Sequence, residues 1–197
     1  MTESASFLME PPEAEAVRSI HESYVADDGY VANYARVWCW RPEILTAFAD
    51  LRSEVVSRSS LSPREVAVMV VATASTLGDS YCSLAWGKRL SGLAGEEAAA
   101  ALLKGDEGSL SKREAALARW ARKVVQDPNA TTEADVEQLR DAGLGEQEIF
   151  EATVWIGMRL GFSTINDALG IRPDRELARR VPKLVGDSVK FGRAPVS

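Results

Sequence analysis

Hydrophobic residues recur along most of the chain at spacings of three and four, and strand-like alternation is nearly absent. Two segments, Ser62–Glu65 and Ser111–Glu114, have the form of a capping box, in which the hydroxyl and the carboxylate satisfy free N–H groups of a helix's first turn. Glycine and proline fall mostly near the ends of the apolar patterns. We predict an all-α fold of eight or more helices, near residues 13–27, 30–40, 43–57, 62–77, 80–91, 96–104, 112–126, 132–142, 146–160, 162–169 and 174–181.

The segment from Ser62 to Leu77 has apolar residues on nearly every side, which is typical of a helix at the centre of a fold. Its longest nearly apolar run, Val66 to Ala74, is far shorter than the roughly 18 residues that a membrane span needs. We therefore expect a central buried helix here and no association with a membrane.

Two segments resemble each other when Leu61 is aligned with Leu144 without gaps. Eight positions are then identical, including a Leu-Gly pair at the same offset in both copies. Each copy has the pattern of a capped helix, a glycine break and a second helix. We predict two related helix–break–helix units at residues 61–87 and 144–170. The alternative is that two capped amphipathic helices share these residues through common physics.

The composition is that of one ordinary globular domain. The 197 residues suffice for a single well-buried core, with 46% hydrophobic and 26% charged residues. The net charge of -6 and the lack of a Lys/Arg cluster argue against nucleic acid as a partner. The first residues lack the basic start and apolar run of a signal peptide, and two cysteines with one histidine form no metal-ligand pattern. We expect one domain over residues 1–197, in the cytoplasm, without metal or cofactor.

The one candidate reactive centre is the thiol of Cys82. Gly78 ends a predicted helix and Asp79 is placed to cap the next one, so Cys82 falls at the third helical position. The positive end of the helix dipole stabilises a thiolate there and lowers the thiol pKa. The Asp79 carboxylate opposes this effect, since a neighbouring negative charge raises a thiol pKa. The alternative is an inert cysteine that packs as a small apolar residue.

The segments around Cys82 resemble a known family. "LSPREVAV" and "SYCSLAWGK" are similar to the AhpD-like and carboxymuconolactone decarboxylase superfamily, and in particular to its peroxidase-related subgroup. The resemblance covers most of residues 29–174, through "GYVANYARVWCWRPEI", "LRDAGLGEQEIFEA" and "DALGIRPD". It implies an AhpD-like helical domain that assembles into a homo-oligomer, a trimer or, in some branches, a dimer or hexamer. Residues 185–197 lie beyond this core and are predicted to form a loosely ordered tail.

The resemblance carries over poorly to the catalytic residues. In the AhpD pattern a Glu, a Cys-x-x-Cys pair and a downstream His form a proton relay and a redox-active dithiol. By this resemblance Cys82 matches the second cysteine. The first cysteine, the glutamate and the histidine are replaced by Asp79, Ala67 and Trp86. A disulfide within this motif cannot form, so oxidised Cys82 would need an external thiol, and the indole of Trp86 cannot accept a proton from it.

The preferred hypothesis is a divergent peroxidase-related protein whose thiol-based hydroperoxide reduction is weak or lost. Cys82 is expected at the floor of a small, mostly apolar pocket that takes a small-molecule substrate. Because Asp79 and the apolar Trp86 both oppose thiolate formation, we expect the pKa of Cys82 at or above the usual value of about 8.5. Two alternatives stay open: a cofactor-free decarboxylase, isomerase or cyclase with Asp79 as acid or base, and a non-catalytic binding or scaffold protein.

Aromatic residues supply the remaining candidates. We take Trp86, Tyr81 and Tyr34 as candidate substrate-binding residues. Tyr34 belongs to an aromatic-rich amino-terminal region with Tyr24, Tyr30, Trp38 and Trp40. The alternative for this region is packing in the core or at a subunit interface. Its excess of aromatic surface over what one small domain readily hides is a second reason to expect a homo-oligomer.

Overall fold

The computed structural model describes residues 4–197, so residues 1–3 of the predicted domain lie outside the described part. Residues 4–197 hold eleven α-helices, a short 3-10 helix at Pro128–Ala130 and no strand, which confirms the predicted all-α fold. The helices are α1 (Glu15–Asp28), α2 (Asn33–Trp38), α3 (Pro42–Ser57), α4 (Pro63–Leu77), α5 (Ser80–Ala94), α6 (Glu96–Leu103), α7 (Lys112–Gln126), α8 (Glu133–Asp141), α9 (Glu146–Ala168), α10 (Arg175–Arg180) and α11 (Lys183–Ser188). No helix within this range combines the length and apolar character that crossing a bilayer requires.

Helix α4 lies at the centre of the domain, as its apolar sequence predicted. Every residue from 65 to 74 is buried, and Met69 is fully inaccessible to solvent. The helix packs against α5, α7 and α9, which contribute core side chains such as Leu90, Leu117 and Ile156. Both predicted capping boxes are present, at the starts of α4 and α7. The ends of α4 and α5 that define the candidate site are therefore held on a rigid, fully packed layer.

The two halves of the predicted repeat fold differently after their first helix. In the first half α4 ends at Gly78, which has a left-handed φ of 84°, and Asp79 caps α5. In the second half α9 runs without interruption through Gly161, so the predicted break there is wrong. The cause is local: Phe162 stands where the first half has Asp79, and a phenyl ring cannot accept an N–H bond from a new first turn. Without that cap, the helical hydrogen bonds continue through the glycine.

Alanine at these two equivalent glycines should change stability in opposite directions. Gly78→Ala is expected to lower the free energy of unfolding by about 1–2 kcal/mol, because an L-residue is strained at positive φ. Gly161→Ala is expected to raise it by up to about 1 kcal/mol, because Gly161 is helical and an added Cβ meets no atom within 4 Å. Urea denaturation measures both changes. A Gly161→Ala variant that loses stability would instead indicate a break in α9.

The carboxy-terminal residues are more ordered than predicted. Residues 185–188, which the sequence assigned to a loose tail, complete helix α11, and Val185 is fully buried next to Gly87 of α5. The following segment crosses the start of α5, where Ser80 Oγ donates to the Arg193 carbonyl at 2.7 Å. Farther along, the Val196 N–H donates to a carbonyl before α10 at 3.0 Å. These contacts are made largely by backbone groups, which the composition of the tail does not encode.

Most aromatic residues of the amino-terminal region pack within the chain itself. Trp38 stacks on Phe162 of α9 with ring centroids 5.2 Å apart, and Tyr34 meets the same ring edge-on at 5.3 Å. Trp40 differs, since 43% of its surface is exposed. The homo-oligomer therefore stays a prediction, with less free aromatic surface behind it than the sequence suggested.

Candidate active site around Cys82

Cys82 lies at the start of α5, where the sequence predicted it. The Asp79 side chain caps the helix, and its Oδ1 accepts the N–H of Cys82 at 2.9 Å. Both side chains are buried, with 2% of Cys82 and none of Asp79 exposed. The thiol is therefore in the first turn of α5, close to the N–H groups that form the positive end of the helix dipole. Cys39, the second cysteine, is also buried and free.

The structure brings to this thiol an arginine that the sequence analysis missed. Arg159 lies on α9, 77 residues away along the chain, and its Nη2 donates to Cys82 Sγ at 2.9 Å. Ser163, one turn later on α9, donates its Oγ to the same sulfur at 3.6 Å. Both donors are buried, with 4% of Arg159 and 1% of Ser163 exposed. The sulfur thus has one cationic donor and one neutral donor.

The guanidinium of Arg159 is held by aromatic rings rather than by a carboxylate. Its Cζ lies 4.7 Å from the ring centroid of Phe162 and 5.6 Å from that of Trp86. Within residues 4–197 it forms no ion pair, and its Nε has no acceptor. Cation–π contacts contribute about 0.5–2 kcal/mol each, which is less than the several kcal/mol that burying a charge costs. Arg159 is therefore a buried cation beside the candidate nucleophile whose burial cost the cation–π contacts do not cover.

The surroundings of Cys82 disfavour its thiolate form. Burial raises the pKa of Cys82 to about 12; the Arg159 guanidinium opposes the rise, and the Asp79 carboxylate adds to it. The sequence predicted a pKa at or above the usual value, and this direction is confirmed. Removal from water dominates and the charge of Asp79 adds to it, as the sequence predicted, whereas the opposing Arg159 guanidinium was not predicted.

The Asp79 side chain is fully buried, and one of its carboxylate oxygens serves the helix cap. Its Oδ1 is used in the helix cap, and its Oδ2 is buried without a hydrogen-bond partner. Burial and the charge of Asp79 together raise the pKa of Asp167, near the end of α9, to about 6. Asp79 therefore acts on its surroundings through its charge and its cap.

A cavity of about 560 Å³ opens between α3, α4, α5 and α9, and we call it the tryptophan cavity because Trp86 and Trp155 line it. Cys82 does not line it, so this cavity is not the predicted pocket with the thiol at its floor. Arg159 lies against the ring of Trp86 and contacts the sulfur, so the indole and the guanidinium stand between the cavity and the thiol.

Tyr34 and Tyr81, the two tyrosines predicted to bind substrate, lie outside the tryptophan cavity. The Tyr81 hydroxyl donates to the Asp174 carboxylate, and its ring packs with Leu84 in a separate apolar cluster. The Tyr34 hydroxyl shares a hydrogen bond of 2.9 Å with the hydroxyl of Tyr24. Neither tyrosine lines the tryptophan cavity. Trp86 is the only one of the three candidate substrate-binding residues that reaches it.

Comparisons with known proteins connect this geometry to solved structures. No protein-family model and no curated protein matches the sequence. An uncharacterized peroxidase-related protein from Silicibacter sp. TM1040 is similar with a TM-score of 0.81 and 21% identity, over 89% of this chain and 95% of that one. An AhpD-core, peroxidase-related protein from Ralstonia eutropha JMP134 gives 0.77 and 24% identity, over 92% and 100%. The debrominase Bmp8 gives 0.75 and 13% identity, over 93% and 98%, and a cysteine-to-alanine variant of it was solved with 2,3,4-tribromopyrrole.

These similarities cover about nine-tenths of the chain, so they concern the whole helical core and not a single motif. At identities below 25% they establish the fold and leave the chemistry to be argued from the site. The all-helical fold that the sequence resemblance implied is the fold observed. The chain has the AhpD-like all-helical fold of the peroxidase-related proteins.

Proposed function

We propose that the chain is a single-cysteine thiol enzyme that reduces hydroperoxides slowly, with Cys82 as the nucleophile. The observation that supports this is the hydrogen bond of 2.9 Å from Arg159 Nη2 to Cys82 Sγ. A buried guanidinium beside a thiol stabilises the thiolate and, later, the negative charge that develops on the departing oxygen. Within residues 4–197 the other cysteine, Cys39, has no cationic hydrogen-bond donor at its sulfur.

The reaction balances with external thiols as the reductant. The Cys82 thiolate attacks the terminal oxygen of a hydroperoxide, an S–O bond forms, and the O–O bond breaks. The departing oxygen takes up a proton and leaves as an alcohol, and Cys82 becomes a sulfenic acid. One external thiol then forms a mixed disulfide with release of water, and a second thiol regenerates Cys82 while the two external thiols become a disulfide. Asp79 cannot replace the first of these thiols, because it carries no sulfur.

Two features make slow turnover the expectation. With a pKa of about 12, only about one Cys82 in 100,000 is a thiolate at pH 7. The relay positions offer no help, since Ala67 is an apolar residue that is fully buried in α4 and Trp86 is a donor only. We therefore expect the hydroperoxide reduction that the resemblance implies to occur by the same thiol chemistry but at a lower rate.

The test is thiol-dependent reduction of tert-butyl hydroperoxide with dithiothreitol in excess. We expect a slow rate that rises about tenfold per pH unit from pH 7 to 10, because the thiolate fraction rises by that factor below the pKa. Trapping of the sulfenic acid followed by mass spectrometry should label Cys82. Cys39→Ser, the matched control, should keep the activity, and Cys82→Ser should abolish it.

Three outcomes would contradict the proposal. Labelling at Cys39 alone would remove Cys82 from the chemistry. Activity that survives in Cys82→Ser would do the same. A rate that reaches its plateau below pH 8 would be incompatible with the raised pKa and would indicate an efficient peroxidase thiolate.

A second candidate is an enzyme that acts on a small organic substrate other than a peroxide. The size of the tryptophan cavity favours it, because about 560 Å³ far exceeds what a small hydroperoxide fills. Bmp8 illustrates that this fold also supports debromination. Within this second candidate Asp79 loses its proposed role as acid or base, since it does not line the cavity.

A further inference from the structure

The tryptophan cavity has a lining that carries positive charge and no negative charge. Arg52 of α3 and Arg89 of α5 line it, and among residues 4–197 no aspartate or glutamate does. Neither arginine forms an ion pair within residues 4–197, unlike Arg64, Arg113 and Arg122, which each pair with a carboxylate. Three serines add hydroxyl groups on one side of the opening, Ser53, Ser57 and Ser59. Such a lining attracts a negatively charged ligand.

The indole N–H of Trp155, a buried donor without an acceptor, also favours a ligand that accepts hydrogen bonds. Trp155 lines the cavity with 3% of its surface exposed, and its indole Nε1 has no hydrogen-bond partner. The chain satisfies the indole of Trp120 differently, because that Nε1 donates to Thr153 at 3.0 Å. A buried N–H left unpaired destabilises the protein, and a ligand that accepts its hydrogen bond would remove that cost.

The shape and surface of the cavity favour a flat ring. Trp86 and Trp155 meet edge to face at 76° with ring centroids 6.4 Å apart, and they form two aromatic walls. The Cζ of Arg89 lies 5.1 Å from the Trp86 centroid, so one cation already rests on this wall. Leu61 and Val66 complete an apolar side. Aromatic rings pack well in such angles, by stacking or by edge-to-face contact.

We propose that the tryptophan cavity binds a small planar aromatic carboxylate. The ring lies against the indoles of Trp86 and Trp155, and the carboxylate accepts hydrogen bonds from Arg52, Arg89 or the free indole N–H. Binding of the carboxylate does not depend on a reaction at Cys82. A role for the bound carboxylate as a substrate or effector of Cys82, in contrast, rests on the proposed function. Because Trp86 also contacts Arg159, a ligand against this indole sits one side chain away from the guanidinium that touches the thiol.

Calorimetric titration with 2-naphthoate tests the proposal, with 2-naphthamide as the uncharged isostere. We expect 2-naphthoate to bind at least about tenfold more tightly than 2-naphthamide, since hydrogen bonds between charged groups are stronger than those to a neutral amide. Arg52→Gln, Arg89→Gln and Trp155→Phe should each weaken 2-naphthoate binding several-fold. The control Arg58→Gln removes a nearby exposed arginine that pairs with Glu54 and should bind as the wild type does.

The outcomes separate this proposal from the proposed function. Cys82→Ser should retain 2-naphthoate binding even though it abolishes peroxide reduction, so either inference can fail alone. Equal affinities for 2-naphthoate and 2-naphthamide would overturn the anion site. The same holds if Arg58→Gln weakens binding as much as Arg89→Gln, or if 2-naphthoate does not bind at millimolar concentration.

Discussion

Replacing Arg159 with methionine is expected to lower the reactivity of Cys82 at least about tenfold and to leave the fold as stable as the wild type or more stable. The guanidinium is the largest influence that favours the thiolate, since burial and Asp79 both act against it. Its removal raises the thiol pKa further, and each pKa unit lowers the thiolate fraction tenfold below the pKa. Arg159→Met should therefore lower the reactivity of Cys82 without lowering the free energy of unfolding.

The stability half of this expectation follows from the surroundings of Arg159. The side chain is 4% exposed, forms no ion pair within residues 4–197, and leaves its Nε without an acceptor. Methionine has a similar length, fills the space between Trp86 and Phe162, and carries no charge to desolvate. Loss of the cation–π contacts offsets part of this gain, so we expect a change between zero and about 2 kcal/mol in favour of the variant.

Two measurements on a Cys39→Ser background check the result. The rate of iodoacetamide alkylation at a fixed pH of 9 reports the reactivity of Cys82, and urea denaturation reports the free energy of unfolding. Arg159→Lys serves as the matched control, because it keeps the charge without the planar guanidinium and should fall between wild type and Arg159→Met. A methionine variant that alkylates like wild type and loses more than about 2 kcal/mol of stability would show that Arg159 is structural.

The parts of the fold that the sequence predicted correctly are those decided within one or two helical turns. Ser62 with Glu65 and Asp79 with Cys82 are pairs three residues apart, and both form the expected caps. The same local rule explains the error at Gly161. Glycine alone does not end a helix, and a following residue that can cap a new first turn is needed as well.

The candidate site was predicted only in part, because one of its groups comes from a distant helix. Cys82 and its position in α5 follow from neighbouring residues, whereas Arg159 reaches the sulfur from 77 residues away. One signal in the sequence was available. Arg159 lies in the register of the buried positions Ala152, Ile156 and Ser163 on α9, where a charged residue is rarely found without a role. That pattern identifies a buried arginine but not the atom it contacts.

The largest loss of stability is expected from Arg113→Met, at about 2–3 kcal/mol of unfolding free energy at pH 7. Arg113 on α7 joins the starts of two other helices: its Nε contacts Glu65 of α4 at 2.5 Å and its Nη2 contacts Glu148 of α9 at 2.6 Å. Both carboxylates also accept a backbone N–H at their own helix start, from Ser62 and Gly145. Removing the arginine leaves two mostly buried carboxylates without their cation, which costs less than in a fully buried pair because water reaches part of the site.

Acid should remove much of this difference between wild type and Arg113→Met. The hydrogen bond from Arg113 lowers the pKa of Glu148 to about 2, and in Glu65 the bonds from Ser62 and Arg113 together outweigh the effect of burial, so its pKa is lowered too. Because these folded-state values lie below the unfolded value of about 4.3, the stabilisation is complete above about pH 5 and is lost as the pH falls from there toward 2. Urea denaturation of both proteins at pH 7, 5, 4 and 3 should show the gap narrowing by about 1–2 kcal/mol.

Arg140 provides the matched control for Arg113, because it also contacts two glutamates but at the surface. Its partners Glu137 and Glu146 are 54% and 75% exposed, so Arg140→Met should leave stability nearly unchanged at every pH. If Arg113→Met were as mild as Arg140→Met, the network would be no more than a set of surface ion pairs. A gap that stayed constant from pH 7 to 3 would show that Arg113 stabilises the fold through the packing of its aliphatic stem, and not through Glu65 and Glu148.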